Sequence, residues 1–212
     1  MTSKKIAILG AGMFGTAIAN IVAENGRSVW LWGRDSEQVT LMARERENTR
    51  YLPGYTLHDR VTPTADLKTA LSDADSVFVS VPSASFREVA RSIRGLLRSD
   101  AMLISTTKGV EHQGFCLMSQ VLEDEIGGHP MGVLSGPNLA DEIARKQITA
   151  TVVASRTPEL IARVQTLLHT AYFRVYSSDD VYGVELAGAL KNIYAIASGF
   201  ASALGVGGNT MG

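Results

Sequence analysis

The sequence predicts an α/β fold: a doubly wound, mainly parallel sheet with helices on both faces. Three observations predict it. An apolar β-run at residues 6–9 breaks straight into Gly10, Gly12 and Gly15 and then into a helical pattern, the order of strand, tight turn and helix that opens a dinucleotide-binding unit. Strand and helix patterns then alternate along the chain, which favours right-handed crossovers between parallel strands over hairpins. Residues 76–81, SVFVSV, form an almost continuous apolar run of the kind buried on both faces of a parallel sheet.

Taken in order, residues 17–24 carry helical periodicity and stop at Asn25-Gly26, a normal helix exit. A strand is predicted at 28–32 and a helix at 35–47. The segment 48–65 holds Pro53, Gly54 and Pro63 and reads as loop, with a short strand near Val61. Pro82 ends the run at 76–81. Ser85 and Glu88 have capping-box spacing for a helix reaching about Leu97. Strand, helix and strand follow at 101–106, 115–126 and 131–134, the last breaking at Ser135-Gly136-Pro137. Another strand is expected at 149–154. Thr157-Pro158 starts a helix to about His169, with proline at its first position. A last short strand at 173–176 precedes a long helix, where Asp179 and Asp180 place negative charge at the first turn. There is no internal repeat, low-complexity tract or flexible linker.

Composition narrows the function. The chain has 212 residues, with 20 lysines and arginines against 21 aspartates and glutamates and a net charge of −1. No global field draws in nucleic acid or an anionic membrane, so an anionic ligand must be held locally. Cys116 is the single cysteine, which excludes an intrachain disulfide and any multi-cysteine metal site and fits the cytoplasm. Residues 1–5 lead straight into the first strand with no long hydrophobic run, so no secretory segment is expected. The uncharged stretch at the end is rich in Gly, Ala and Ser rather than Leu and Ile, so no membrane span is expected.

Each glycine of the first turn has a physical task in gripping a diphosphate. Gly10 allows the tight turn, Gly12 lets the anion approach the backbone, and Gly15 lets the helix pack on the strand while free N–H groups face the ligand. After the second strand, where an NAD site offers Asp or Glu to the ribose hydroxyls, Gly33 and Arg34 stand instead. Arginine there favours the extra phosphate of NADP(H), while Asp35, one step on, keeps NAD open. Lys108 lies past the carboxyl end of a buried strand, where doubly wound sheets bind ligands. From residue 186 to 212 the only charged side chain is Lys191. A lone lysine among small and apolar residues either reaches water or is held for chemistry. At helical spacing it shares a face with Val184, Ala187, Gly188 and Ala195, and Asn192 stands beside it. His58, His112, His129 and His169 show neither metal spacing nor a paired carboxylate. Ser80, Ser83 and Ser85 are explained by capping and backbone hydrogen bonds.

Four pieces in order, GAGMFGTA from Gly10, LWGR from Leu31, STTKG from Ser105 with SGPN from Ser135, and GALKN from Gly188, resemble NAD(P)-dependent glycerol-3-phosphate dehydrogenases of the bacterial type, in their N-terminal portion. The resemblance implies a Rossmann-like domain with an extended, partly mixed sheet over residues 1–178, and the start of an all-helical substrate domain at 179–212. It implies cofactor contacts at Met13, Phe14, Arg34, Lys108 and Ala140, beside the three glycines. Met13 departs from the family's more usual serine or alanine, which a backbone contact tolerates. Substrate contacts are implied at Lys108, Gly136 and Asn138, with Lys191 as the catalytic lysine; Lys108 is expected to join the catalytic site by adding positive charge near the developing alkoxide, and Asn192, next to Lys191, is expected to hydrogen-bond the substrate. The reaction implied is hydride transfer between NADPH and dihydroxyacetone phosphate, a step towards phospholipid precursors, with no metal. The family's grip on the substrate phosphate is expected beyond Gly212. A nucleotide sensor without turnover and a hydroxyacid or ketopantoate-type reductase remain alternatives, and a homodimer through the end helix stays open.

Overall fold

The computed structural model describes residues 5–207. Its elements, in chain order, are β1 (Lys5–Leu9), α1 (Met13–Glu24), β2 (Val29–Trp32), α2 (Ser36–Glu45), β3 (Glu47–Asn48), β4 (Leu52–Thr56), β5 (Val61–Thr64), α3 (Leu67–Leu71), β6 (Ala74–Val79), α4 (Ser83–Ile93), β7 (Met102–Ser105), α5 (Met118–Glu125), β8 (Met131–Ser135), α6 (Ala140–Ala144), β9 (Thr149–Ser155), α7 (Pro158–Leu168), β10 (Phe173–Ser178) and α8 (Val181–Ala203). Eight strands form one sheet in the order β10-β9-β8-β7-β6-β1-β2-β5. From β5 to β8 every neighbour is parallel, whereas β8 and β9 run antiparallel and β9 and β10 run parallel to each other. The expected doubly wound, mainly parallel sheet is therefore observed, and it is partly mixed.

Strand alternation builds two cores. In β1, Ile6 and Ile8 enter the layer packed by α1 and α7, while Ala7 and Leu9 enter the layer packed by α4 and α5. Phe78 of β6 joins the first layer, and Val77 and Val79 the second. All of these side chains are fully buried, so each strand is apolar on both faces and reads as a run rather than an alternation. Because β1 is followed by β2 on one side and flanked by β6 on the other, the strand order reverses between β1 and β6. Ligands of such sheets bind outside the carboxyl ends at that reversal.

Local expectations differ from the structure at four places. Segment 48–65 is more ordered than loop: β3 and β4 form a small antiparallel pair, and Gly54 takes φ +83. Ser85 and Glu88 form no capping box. Helix α4 begins three residues earlier, its N-cap Pro82 makes no side-chain cap, and Ser85 N–H donates instead to the Pro82 carbonyl at 2.9 Å. The short helices α3 and α6 were not expected from the sequence, since five residues each give too few turns for a periodicity to register. Among the described residues no helix is long and apolar enough to cross a membrane.

Candidate functional site

The first turn is built by close backbone approach. Gly10 sits at φ +123, and a Cβ there would lie 2.3 Å from the Ser80 carbonyl oxygen at the end of β6. A Cβ on Gly15 would lie 2.0 Å from the Gly10 carbonyl oxygen, so helix and turn touch backbone to backbone. Gly12 is different: a Cβ there would meet nothing within 4 Å. It is the N-cap of α1, makes no side-chain cap, and no acid occupies the first turn. The uncapped N–H groups of Met13 to Gly15 keep their affinity for an anion. The turn is clamped from behind. Ala11's carbonyl accepts from Gln38 Nε2 at 3.1 Å and from Asn48 Nδ2 at 3.0 Å, and the fully buried Asn48 also donates to Thr16 Oγ1 at 2.8 Å.

A cavity of about 320 Å³ opens in front of this turn, walled by Gly10 to Gly12, Trp32 to Asp35, Gln38, Arg50, Tyr51 and Ser80 to Pro82 among others. The room at Gly12, the uncapped helix and the cavity together fit a dinucleotide diphosphate. Across the cavity, the Asp35 carboxylate is committed: it caps α2 through Glu37 N–H at 3.0 Å and Gln38 N–H at 3.2 Å, and pairs with Arg50 at 3.0 Å. These donors hold its pKa below the usual carboxylate value, the amide of Gln38 foremost. Arg34 makes no ion pair among the described residues, so its guanidinium is the group at this wall left for a phosphate.

Lys108 stands three residues past β7, on the same sheet edge. Its neighbour Thr107 donates to the Val81 carbonyl at 2.7 Å, which ties the Lys108 segment to the wall of the cavity. Lys108 Nζ donates to the Gly136 carbonyl at 2.7 Å. Burial, and next the charge of Lys191, press its pKa below the ordinary lysine value. Lys191 arrives on α8, which lies against the end of β8. A Cβ on Gly188 would sit 2.3 Å from Ser135 Oγ and 3.8 Å from Lys108 Cγ, so glycine there admits the helix to the site. Lys108 and Lys191 thus stand close enough for the charge of Lys191 to bear on Lys108, a concentration of positive charge that suits developing negative charge.

The predicted residues gather on one edge. Gly10, Gly12, Gly15, Arg34, Lys108 and Gly136 follow the carboxyl ends of parallel strands, and Lys191 reaches the same edge from α8. Met13 is half exposed beside the turn, Phe14 packs on the core, and Ala140 is buried as the first residue of α6. Asn138 is more engaged than its expected role suggests: Nδ2 donates to the Ala150 carbonyl at 2.9 Å and Oδ1 accepts from Thr151 Oγ1 at 3.0 Å, so it first pins the Ser135 to Pro137 turn to β9. Asn192 is exposed. Sequence reading missed Gln38 and Asn48, which hold the glycine turn, and Arg50 and Tyr51, which wall the cavity. It also missed Glu185, a buried carboxylate one turn before Gly188. The charge of Glu185, just ahead of an uncharged run, was the available signal. No group of histidines, cysteines and carboxylates suited to a metal occurs among the described residues.

Known proteins resemble this chain in sequence and in fold. The profile of the family described as NAD-dependent glycerol-3-phosphate dehydrogenase N-terminus matches residues 5–161, and that of the C-terminus matches 180–212. A glycerol-3-phosphate dehydrogenase [NAD(P)+] of Teredinibacter turnerae is 52% identical over 208 residues, covering 98% of this chain and 61% of that protein. One from Ectopseudomonas mendocina is 54% identical over 205 residues, covering 97% and 60%. The crystal structure of glycerol-3-phosphate dehydrogenase from Coxiella burnetii superposes with a TM-score of 0.91 at 40% identity, covering 98% of this chain and 63% of that one. The chain thus spans about three-fifths of the length of the curated relatives it matches.

Proposed function

This chain belongs to the NAD-dependent glycerol-3-phosphate dehydrogenase family, and from that premise we propose that it carries the coenzyme site and the proton-handling lysines of a reductase of dihydroxyacetone phosphate. Residues 1–178 hold the coenzyme in this reading, and 179–212 begin the part that closes over the substrate. The nicotinamide, when bound, supplies the hydride that goes to the carbonyl carbon. The backbone amides from Gly12 to Gly15 hold the diphosphate, and Arg34 holds the phosphate that distinguishes NADPH from NADH. Lys191 donates a proton from Nζ to the carbonyl oxygen as it becomes an alcohol, and takes it back in the reverse direction. Lys108, fixed by Gly136, adds positive charge at that oxygen. Gly136 and Asn138 shape the substrate side of the site, with Asn192 at its rim. A single cysteine and the lack of a membrane-crossing helix among the described residues suit a cytoplasmic enzyme.

The observation that carries this reading is the approach of Lys191 to Lys108 on the sheet edge that also carries the glycine turn, with Thr107 bonded to Val81 of the cavity wall. It is tested by titrating the chain with NADPH, followed by Trp fluorescence since Trp32 walls the cavity, and by assaying a family-length protein containing residues 1–212 with NADPH and dihydroxyacetone phosphate. Saturable quenching and substrate-dependent loss of reduced nicotinamide are expected. Binding without turnover in the family-length protein would instead make the chain a sensor, and no binding would remove the coenzyme site.

A further inference from the structure

We propose that Glu185 is a positioning residue: its buried carboxylate, held at the N-terminus of α5, fixes where α8 lies on the sheet edge and therefore where Lys191 stands beside Lys108. What the lysine pair does chemically rests on the reading above; the anchoring does not.

Helix α8 is 23 residues long, and Glu185 is its one buried residue. The large apolar side chains Tyr182, Ile193, Tyr194, Ile196 and Phe200 are each more than 60% exposed. The helix is therefore not held to the sheet by a buried apolar stripe, the usual device. Val184, Leu186 and Leu190 are only partly buried, and two specific contacts place the helix. One is the glycine contact at Ser135 already described. The other is Glu185, 4% exposed, whose Oε1 accepts from Ser119 N–H at 3.0 Å and whose Oε2 accepts from Ser119 Oγ–H. Helix α5 needs such a partner. Its N-cap is Leu117, which has no polar side chain, and no acid stands in its first turn. Gln120 Oε1 accepts locally from Leu117 N–H at 2.8 Å, and a carboxylate from 66 residues away takes the Ser119 amide that an N-cap side chain would otherwise accept and complements the positive end of the helix.

The spacing carries this anchor to the site. Glu185, Gly188 and Lys191 follow at three-residue intervals, so fixing the first sets the height and rotation of the other two. Burial pushes the Glu185 carboxyl above the usual range, against the opposing pull of its amide and hydroxyl donors. An apolar residue would avoid that cost but could not accept from Ser119, so the glutamate gives direction rather than mere adhesion.

The test reads Lys191 through Lys108 and needs no turnover. In the 212-residue chain, the pKa of Lys108 is followed by NMR of lysine side chains labelled at Cε. Lys191→Ala removes a like charge, so Lys108 shifts up. Glu185→Ala is expected to shift Lys108 up by the same amount, and the double variant to shift it no further. The sign is informative, because losing the negative charge of Glu185 without moving α8 would leave Lys108 unchanged or shift it down. Glu185→Gln, which retains an acceptor oxygen for Ser119, restores the wild-type value. Where Glu185→Ala fails to fold, Glu185→Asp, one methylene short of Ser119, gives the same reading. An unshifted Lys108 in a folded Glu185→Ala or Glu185→Asp chain overturns the proposal. In the family-length protein, a fall in kcat of tenfold or more with unchanged NADPH affinity is expected for Glu185→Ala. If Lys191→Ala proves fully active, the proton role fails while the shift in Lys108 still decides the anchoring.

Discussion

Gly12→Ala separates the needs of the fold from those of a ligand. A Cβ at Gly12 meets no atom within 4 Å, and φ there is −84, so alanine fits without strain. Two small terms act on stability. Alanine is a poorer N-cap than glycine, which costs up to about 1 kcal/mol, and it restricts the unfolded chain, which returns roughly 0.4–1 kcal/mol. They largely cancel, leaving a net change within about 1 kcal/mol. The methyl group would nevertheless project into the room left for the diphosphate. If the complex is packed there like a protein interior, an added methyl costs about 1–3 kcal/mol, which is roughly a 5- to 150-fold loss of affinity. Gly10→Ala is the contrasting control, since its Cβ would lie 2.3 Å from the Ser80 carbonyl oxygen at φ +123. Backbone strain and overpacking together cost it about 2–6 kcal/mol. Urea unfolding followed by circular dichroism measures the stabilities, and quenching of Trp fluorescence by NADPH measures the affinities. A Gly12→Ala chain that binds NADPH as tightly as the wild type would refute the diphosphate site.

Three other outcomes follow from the same geometry. In the family-length protein, Lys191→Ala lowers kcat about 100-fold or more with NADPH affinity nearly intact, checked by stopped-flow absorbance at saturating coenzyme. Arg34→Gln weakens NADPH about tenfold or more while leaving NADH nearly unchanged, because a charge-assisted contact to the extra phosphate is lost; parallel fluorescence titrations read the ratio. Lys108 gives a pH signature. Its folded pKa lies below the ordinary 10.5, so the unfolded chain binds this proton more tightly, and its destabilising effect is full below the folded pKa and relieved as pH rises towards 10.5. The stability of Lys108→Met relative to the wild type therefore falls over that alkaline range, as urea midpoints at stepped pH would show.

What the sequence disclosed was local, and what it withheld depended on partners far along the chain. The run IAIL before three glycines disclosed β1, its turn and α1, because strand period, positive φ and helix packing are all satisfied within a dozen residues. Residues 76–81 disclosed the central strand for a similar reason, since burial on both faces is written directly into composition. Lys108 and Lys191 stood out individually, but their meeting did not: it depends on Gly188 fitting against Ser135 and on Lys108 reaching the Gly136 carbonyl. Asp35 looked available to a ribose until Arg50 and the α2 amides were seen to hold it. Asn48 lay in a stretch dominated by proline and glycine, and only the fold shows it buried under the glycine turn. Ser85 and Glu88 had the spacing of a cap, yet Pro82 starts the helix earlier and moves both inside it.

The most direct test is a crystal structure of the chain grown with NADPH. The diphosphate is expected against the amides from Gly12 to Gly15, the adenosine phosphate at Arg34, and the nicotinamide facing Lys108 and Lys191. A coenzyme bound with its diphosphate away from Gly12, or with its nicotinamide directed away from both lysines, would contradict this placement.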